Sequence, residues 1–62
     1  MPFVSVKILE GHSIERKRKM VKEITECVAR IAEIPESYVQ VIFQEFSKEN
    51  WAADKRLLCD ED

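Results

Sequence analysis

No apolar run among the 62 residues is long enough to span a bilayer. No cationic-then-apolar leader opens the chain, so no signal peptide is expected. Cysteine is scarce, with Cys27 and Cys59 alone. Cys27 falls on the apolar face of an expected helix, where packing in the core suits it, and Cys59 in an acidic tail; a bridge between them is not expected. Two thiols without a leader fit a reducing, cytoplasmic location. A single histidine and no Cys-x-x-Cys pair exclude a zinc staple built within one chain, so no metal site is expected. A surplus of basic charge is lacking too. The net charge of −2 argues against nucleic acid as a main partner. Repeats, linkers and low-complexity stretches are absent, so residues 1–62 read as a single domain.

What is present is a small domain whose residues are 45% hydrophobic. A chain this short buries only about 60% of its unfolded surface and is marginal alone. Disulfides, metal and oligomerisation are the usual remedies, and here oligomerisation remains. The run Arg16-Lys17-Arg18-Lys19 looks like a phosphate-binding patch in isolation. On a helix it spreads around the cylinder and meets acids one turn away: Glu15–Lys19, Lys19–Glu23, Lys22–Glu26 and Glu26–Arg30. A solvated helix face accounts for it.

Residues 3–9 alternate as a strand, with Val4, Val6 and Ile8 on one face and Phe3, Ser5, Lys7 and Leu9 on the other. Gly11 breaks the strand. Ser13 is a good N-cap, with Glu15 in the first turn that follows. Residues 14–33 form a helix carrying one apolar stripe of Met20, Val21, Ile24, Cys27, Val28 and Ile31. Ile34-Pro35 ends it. Residues 38–46 form the second strand, with Val39, Val41 and Phe43 opposite Tyr38, Gln40, Ile42 and Gln44. Residues 47–62 have weak periodicity; a loop is expected, with a short hairpin near Trp51 and a frayed tail ending Asp60-Glu61-Asp62.

The fold class is therefore α+β: a single β-α-β unit with parallel strands and a right-handed crossover. Two strands leave two open edges and are not stable alone. Pairing with a second chain gives a four-stranded sheet with helices on one face only. The other face, with Phe3, Leu9 and Ile42, is then free to bury against further dimers.

Chemistry points to Met1-Pro2. Proline at position 2 is small enough for removal of Met1, which turns the ring nitrogen into a free secondary amine. A free α-amino group titrates near ~8 in model peptides and can serve as a general base. Within the chain the same nitrogen is an inert amide, and Pro2 is then only a rigid start to an edge strand. Parallel topology sets Pro2 beside Tyr38 and Gln40. His12 lies roughly 30 Å away along the extended chain. A site combining Pro2 with His12 must be shared between chains.

These residues resemble the 4-oxalocrotonate tautomerase family. The resemblance is carried by Pro2, Ile8-Leu9-Glu10-Gly11-x-Ser13, Glu15-x-Lys17, Pro35, Val39-x-Val41-Ile42 and the aromatic Trp51. It runs without gaps from residue 2 to about residue 51. It implies the tautomerase fold assembled as a hexamer, a trimer of dimers, with a dimer as the minimum. It implies Pro2 as general base in a cofactor-independent isomerase acting on a small organic acid. It also implies substrate contacts at Leu9, His12, Tyr38, Gln40 and Trp51.

The chain departs from the family at two positions. Typical members carry arginine where this chain has His12 and Gln40. Their bidentate carboxylate recognition is lost with them. A charge-assisted contact is worth about 1.5–3 kcal/mol, so losing two costs on the order of 10²–10⁴ in rate on a dicarboxylate. His12 supplies part of that charge only when protonated. A turn residue facing solvent accounts for His12 equally well, as strand packing does for Gln40 and interface burial for Trp51. Lys7 and Arg56 are cations without an assigned role. The resemblance also admits a helper subunit in a mixed oligomer, its arginines supplied by a second kind of chain.

Overall fold

The computed structural model describes residues 2–60. Strand β1 spans Phe3–Leu9, helix α1 Ile14–Ala32 and strand β2 Gln40–Phe46. A short hairpin follows, made of β3 (Ala52–Ala53) and β4 (Arg56–Leu57). Single 3-10 turns stand at Glu36–Tyr38, Lys48–Asn50 and Leu58–Asp60.

β1 and β2 pair in parallel, from Phe3 opposite Gln40 to Leu9 opposite Phe46. The ladder gains one bond at each end. Gln40 N–H donates to Pro2 O at 3.1 Å, and Glu10 N–H donates to Phe46 O at 2.8 Å. The period-2 pattern settles which face is which: Val4, Val6, Ile8, Val41 and Phe43 are half-buried, while Phe3, Ser5, Lys7, Gln40, Ile42 and Gln44 are exposed. The half-buried set lies under α1.

Ser13 caps α1 through its Oγ, which accepts the Arg16 N–H at 3.1 Å. This satisfies one of the donors every helix start leaves open. The helix ends one residue earlier than the expected 33. Glu33 takes a left-handed conformation (φ 58°, ψ 51°), and the N–H groups of Glu33 and Ile34 both donate to Ala29 O. Such a cap closes the last carbonyls before Pro35 removes a donor. The second strand begins at Gln40 rather than residue 38, because Tyr38 N–H and Val39 N–H donate back to Pro35 O and Glu36 O.

The expected stripe is only partly covered. Ala29, 6% exposed, is the one buried residue among those described. Met20, Ile24 and Val28 are half-buried, but Ile31 is 72% exposed and Cys27 is exposed. Core packing of Cys27 within its own chain is thus corrected. The helix turns its Ile24–Val28 side to the sheet, and Cys27 and Ile31 fall on the flank beyond it. Of the expected helix ion pairs, Lys22–Glu26 forms at 3.6 Å; Glu15 pairs with Arg18 one turn on, not with Lys19. A further pair, Lys17 Nζ to Glu45 Oε1 at 2.6 Å, ties α1 to β2.

The hairpin falls just after Trp51. Its turn residues Asp54 and Lys55 have φ of 52° and 70°, and two successive positive φ values are what a type I′ hairpin requires. Leu58 N–H donates to Trp51 O at 2.8 Å and closes the loop. Of the expected fraying tail, Asp60 ends the last turn, while Glu61 and Asp62 lie outside the described residues. The radius of gyration is 14.8 Å, against about 11 Å for a compact chain of this length. A molecule this extended, with so few residues buried, has not enclosed a core within one chain.

Candidate active site

The parallel pairing gives the sheet a head and a tail. At the head, the Gln40 N–H to Pro2 O bond holds Pro2 against the start of β2. Tyr38 stands at the end of the turn that feeds β2. Alternation places Phe3, Gln40 and Ile42 on the open face of the sheet, the face α1 does not cover. Phe3 is 65% exposed, and Tyr38 and Ile42 are each 48% exposed. Pro2 and Gln40 therefore come together, as the sequence predicts, while Tyr38, expected on the open face of β2, instead ends the turn two residues before Gln40. Removal of Met1, on which the chemistry of Pro2 depends, concerns a residue outside those described.

At the tail, Leu9 is half-buried opposite Phe46. The Trp51 ring meets Phe46 edge to face, with centroids 6.0 Å apart and planes at 75°. Such a contact adds about 0.5–1.5 kcal/mol beyond area burial. Gly11, at φ 110°, turns the chain out of β1. A residue with Cβ is strained there. His12 follows directly and is exposed, just before the helix cap at Ser13. Leu9, His12 and Trp51 thus form a second group, separated from Pro2 by the length of a strand, about 23 Å at 3.3 Å per residue.

Neither group encloses a pocket within the single chain, among the described residues. The two groups also differ in character. The head residues Phe3, Tyr38, Gln40 and Ile42 are all neutral, and the nearest cation along β1 on that face is Lys7. Midway along the face, Ser5 Oγ donates to Gln44 Oε1 at 3.2 Å, so the centre is polar. No group of three or more His, Cys, Asp or Glu side chains converges to hold a metal among the described residues. No helix of the described residues is long and apolar enough to cross a membrane.

One titration stands out, and it lies away from both groups. Local desolvation and the neighbouring Asp60 carboxylate raise the Cys59 thiol above its usual range. Its Sγ lies 3.8 Å from Asp60 Oδ1. Cys59 is exposed, so the carboxylate is the cause with the clearer geometry.

Phe3 is the head residue the sequence reading left out, having placed it only on a packing face. Its register partner is Gln40, and a parallel β-α-β unit sets the two strand starts side by side. That rule alone was enough to find it.

Residues 2–58 match the family model described as Tautomerase enzyme. The 2-hydroxymuconate tautomerase of Bacillus subtilis is 41% identical over 58 residues, covering 92% of this chain and 94% of that one. A probable tautomerase of Bacillus cereus is 35% identical over 60 residues, covering 97% and 98%. Among solved structures, a 4-oxalocrotonate tautomerase homologue superposes with a TM-score of 0.92 at 35% identity, covering 100% of this chain and 98% of that one. A second such homologue, YwhB, gives a TM-score of 0.93 at 34% identity, covering 98% and 100%.

Proposed function

This chain belongs to the tautomerase family, and on that premise we propose that it is a Pro2-dependent tautomerase whose site is assembled from two chains. The observation that carries this reading is the head-and-tail separation. Pro2, Tyr38 and Gln40 stand at one end of a strand pair, and Leu9, His12 and Trp51 at the other. An antiparallel second chain brings its tail to this chain's head. Pro2, freed by removal of Met1, then works inside a pocket covered by the partner. Covering the amine disfavours its ammonium form and leaves more of it as base.

The reaction moves one proton. The neutral Pro2 nitrogen takes it from the enol hydroxyl or the carbon beside the carbonyl, and the resulting ammonium returns it elsewhere along the conjugated system. Gln40 donates a neutral hydrogen bond to the carbonyl side, where typical relatives use a guanidinium. His12 of the second chain meets the carboxylate. With one ionisable partner in place of two arginines, the substrate is a small enolisable mono-acid rather than a muconate-type diacid. The chain works as a homo-oligomer, a dimer at least and a trimer of dimers at full assembly. The reaction is cofactor-independent and the location cytoplasmic.

The test pairs intact mass with kinetics. Mass shows whether Met1 is gone. Rates on phenylenolpyruvate and 2-hydroxymuconate are then compared for the processed protein and Pro2→Ala. A drop of at least 10²-fold for the variant is expected. Equal rates for both proteins end this reading.

His12 and Gln40, standing where the family's arginines are typical, favour a second reading: a helper subunit that borrows arginines from another chain. One solved relative in fold is a heterohexamer 4-oxalocrotonate tautomerase from Chloroflexus aurantiacus, at 22% identity. Full activity of a purified homo-oligomer rules the helper reading out.

A further inference from the structure

The open face of the sheet carries one cation that the proposed reaction leaves unused. Lys7 stands in the second half of β1, opposite Gln44. Apolar side chains flank it, with Phe3 and Ile42 toward the head and Leu9 and Phe46 toward the tail. Between them, Ser5 Oγ donates to Gln44 Oε1 at 3.2 Å. That bond occupies the Gln44 oxygen and leaves its amide N–H groups to find an acceptor. Neither they nor the Lys7 ammonium has one within the chain, among the described residues. The centre of the face is a cluster of donors, one of them charged.

The ladder supplies no acid to match. Alternation along both strands puts only neutral side chains beside Lys7 on this face. Glu45 lies on the helix side, where it accepts from Lys17 Nζ at 2.6 Å. Glu10 follows the end of β1, three residues from Lys7, about 10 Å at strand spacing.

A surface that covers both apolar ends covers the centre as well. A second copy of the face brings the same residues, hence a second Lys7 and no acid. Stacking two copies therefore sets like charges together and takes them out of water unpaired, which is costly. Their partner has to come from solution. It must be small enough to fit between the copies, doubly negative, and able to accept N–H bonds from several side chains at once.

We infer that Lys7 and Gln44 of facing copies bind a tetrahedral oxyanion of the phosphate or sulfate class, which joins dimers into the larger assembly. Ser5 holds the Gln44 amide for it. This rests on the reading that dimers stack through the open face, and it is independent of the chemistry at Pro2.

Titration calorimetry tests it. Sodium phosphate and, separately, sodium sulfate are titrated into the processed protein in chloride buffer at constant pH and ionic strength, beside Lys7→Met. Saturable binding is expected in the parent, and affinity about tenfold or more weaker in the variant, as for loss of one charge-assisted hydrogen bond. Sedimentation velocity on the same samples reads assembly. Either oxyanion should shift the parent toward the larger species, whereas Lys7→Met, its charge removed, should reach that species in chloride alone. Lys7→Gln, which also removes the charge, gives the same affinity comparison if the methionine variant does not fold. Binding of only one of the two anions supports the site and names its ligand. Absence of saturable binding by both overturns the inference, as does equal affinity in the parent and a folded variant. A parent that assembles alike in chloride and in both oxyanions overturns it too. Pro2→Ala retains Lys7 and Gln44, so the titration stays readable if the reading of Pro2 fails.

Discussion

Replacing Ile31 with alanine is expected to weaken assembly while leaving the single chain almost untouched. Ile31 lies near the end of α1 and is 72% exposed. Complete burial of an isoleucine side chain contributes about 1.5–3 kcal/mol. Roughly three quarters of that is still unrealised in the single chain, so a partner covering Ile31 gains about 1–2 kcal/mol. A two-fold interface counts the residue twice, giving about 2–4 kcal/mol per dimer. At 1.4 kcal/mol per tenfold, the dimer dissociation constant rises about 30- to 700-fold in Ile31→Ala. Sedimentation velocity over a dilution series reads this directly. Far-UV circular dichroism of the variant at high concentration should match the parent, because alanine favours helix. An unchanged dissociation constant would refute the reasoning: the exposed flank of α1 would then face solvent in the assembly, and the missing core would lie elsewhere.

Three further outcomes follow from local geometry. Ser13→Ala removes the Oγ that accepts the Arg16 N–H and should lower stability by about 1 kcal/mol per chain in urea unfolding at fixed protein concentration. Lys55→Gly relieves a side chain held at φ 70° and should stabilise the hairpin by up to about 1 kcal/mol, seen as slower amide exchange at Leu58; no change would mean that the turn is already relaxed. Cys59, whose thiol is raised chiefly by desolvation and Asp60, holds less thiolate at a given pH than a free thiol. It should alkylate more slowly than N-acetylcysteine at pH 8, and Asp60→Asn should speed it; a variant no faster than the parent removes the carboxylate as the cause.

Much of this was legible in the residues. Period-2 alternation in residues 3–9 and 38–46 assigned both strand faces, correctly from Gln40 on in the second, and Ser13 and Pro35 bracketed the helix. A β-α-β unit must cross over in parallel, which alone sets Pro2 beside Gln40 and sends Leu9 to the far end. What failed to show was which part of the apolar stripe the sheet covers. Met20, Ile24, Cys27 and Ile31 all read as one face, but two narrow strands support only its Ile24–Val28 side. The stripe was written for a wider contact than one chain supplies. Boundaries slipped where hydrogen bonds turned back locally, as at Tyr38, because such turns leave no period in the sequence. The site resisted for a related reason: its residues were nameable, but Leu9, His12 and Trp51 stand a strand length from Pro2, so the site proposed from them draws on a second chain.

Two unrelated features favour one direction for the proposed second chain. The two-chain site proposed above sets head against tail, hence antiparallel strands. The order of charges along the helix favours the same direction, although Lys17, Arg18 and Lys22 already have acids within the chain. Arg16, Lys17, Arg18, Lys19 and Lys22 crowd the first half of α1, with Glu15 as its acid. Cations there oppose the helix dipole, whose positive end is the N-terminus. Glu23, Glu26 and Glu33 follow in the second half and at the cap, against Arg30 alone. A parallel neighbour would set basic half on basic half. An antiparallel neighbour sets each basic half against an acidic one, along the flank where Cys27 and Ile31 lie open. High salt should therefore loosen the dimer by screening these halves, and should do so in Ile31→Ala as much as in the parent, since the apolar and ionic contributions sit on separate side chains.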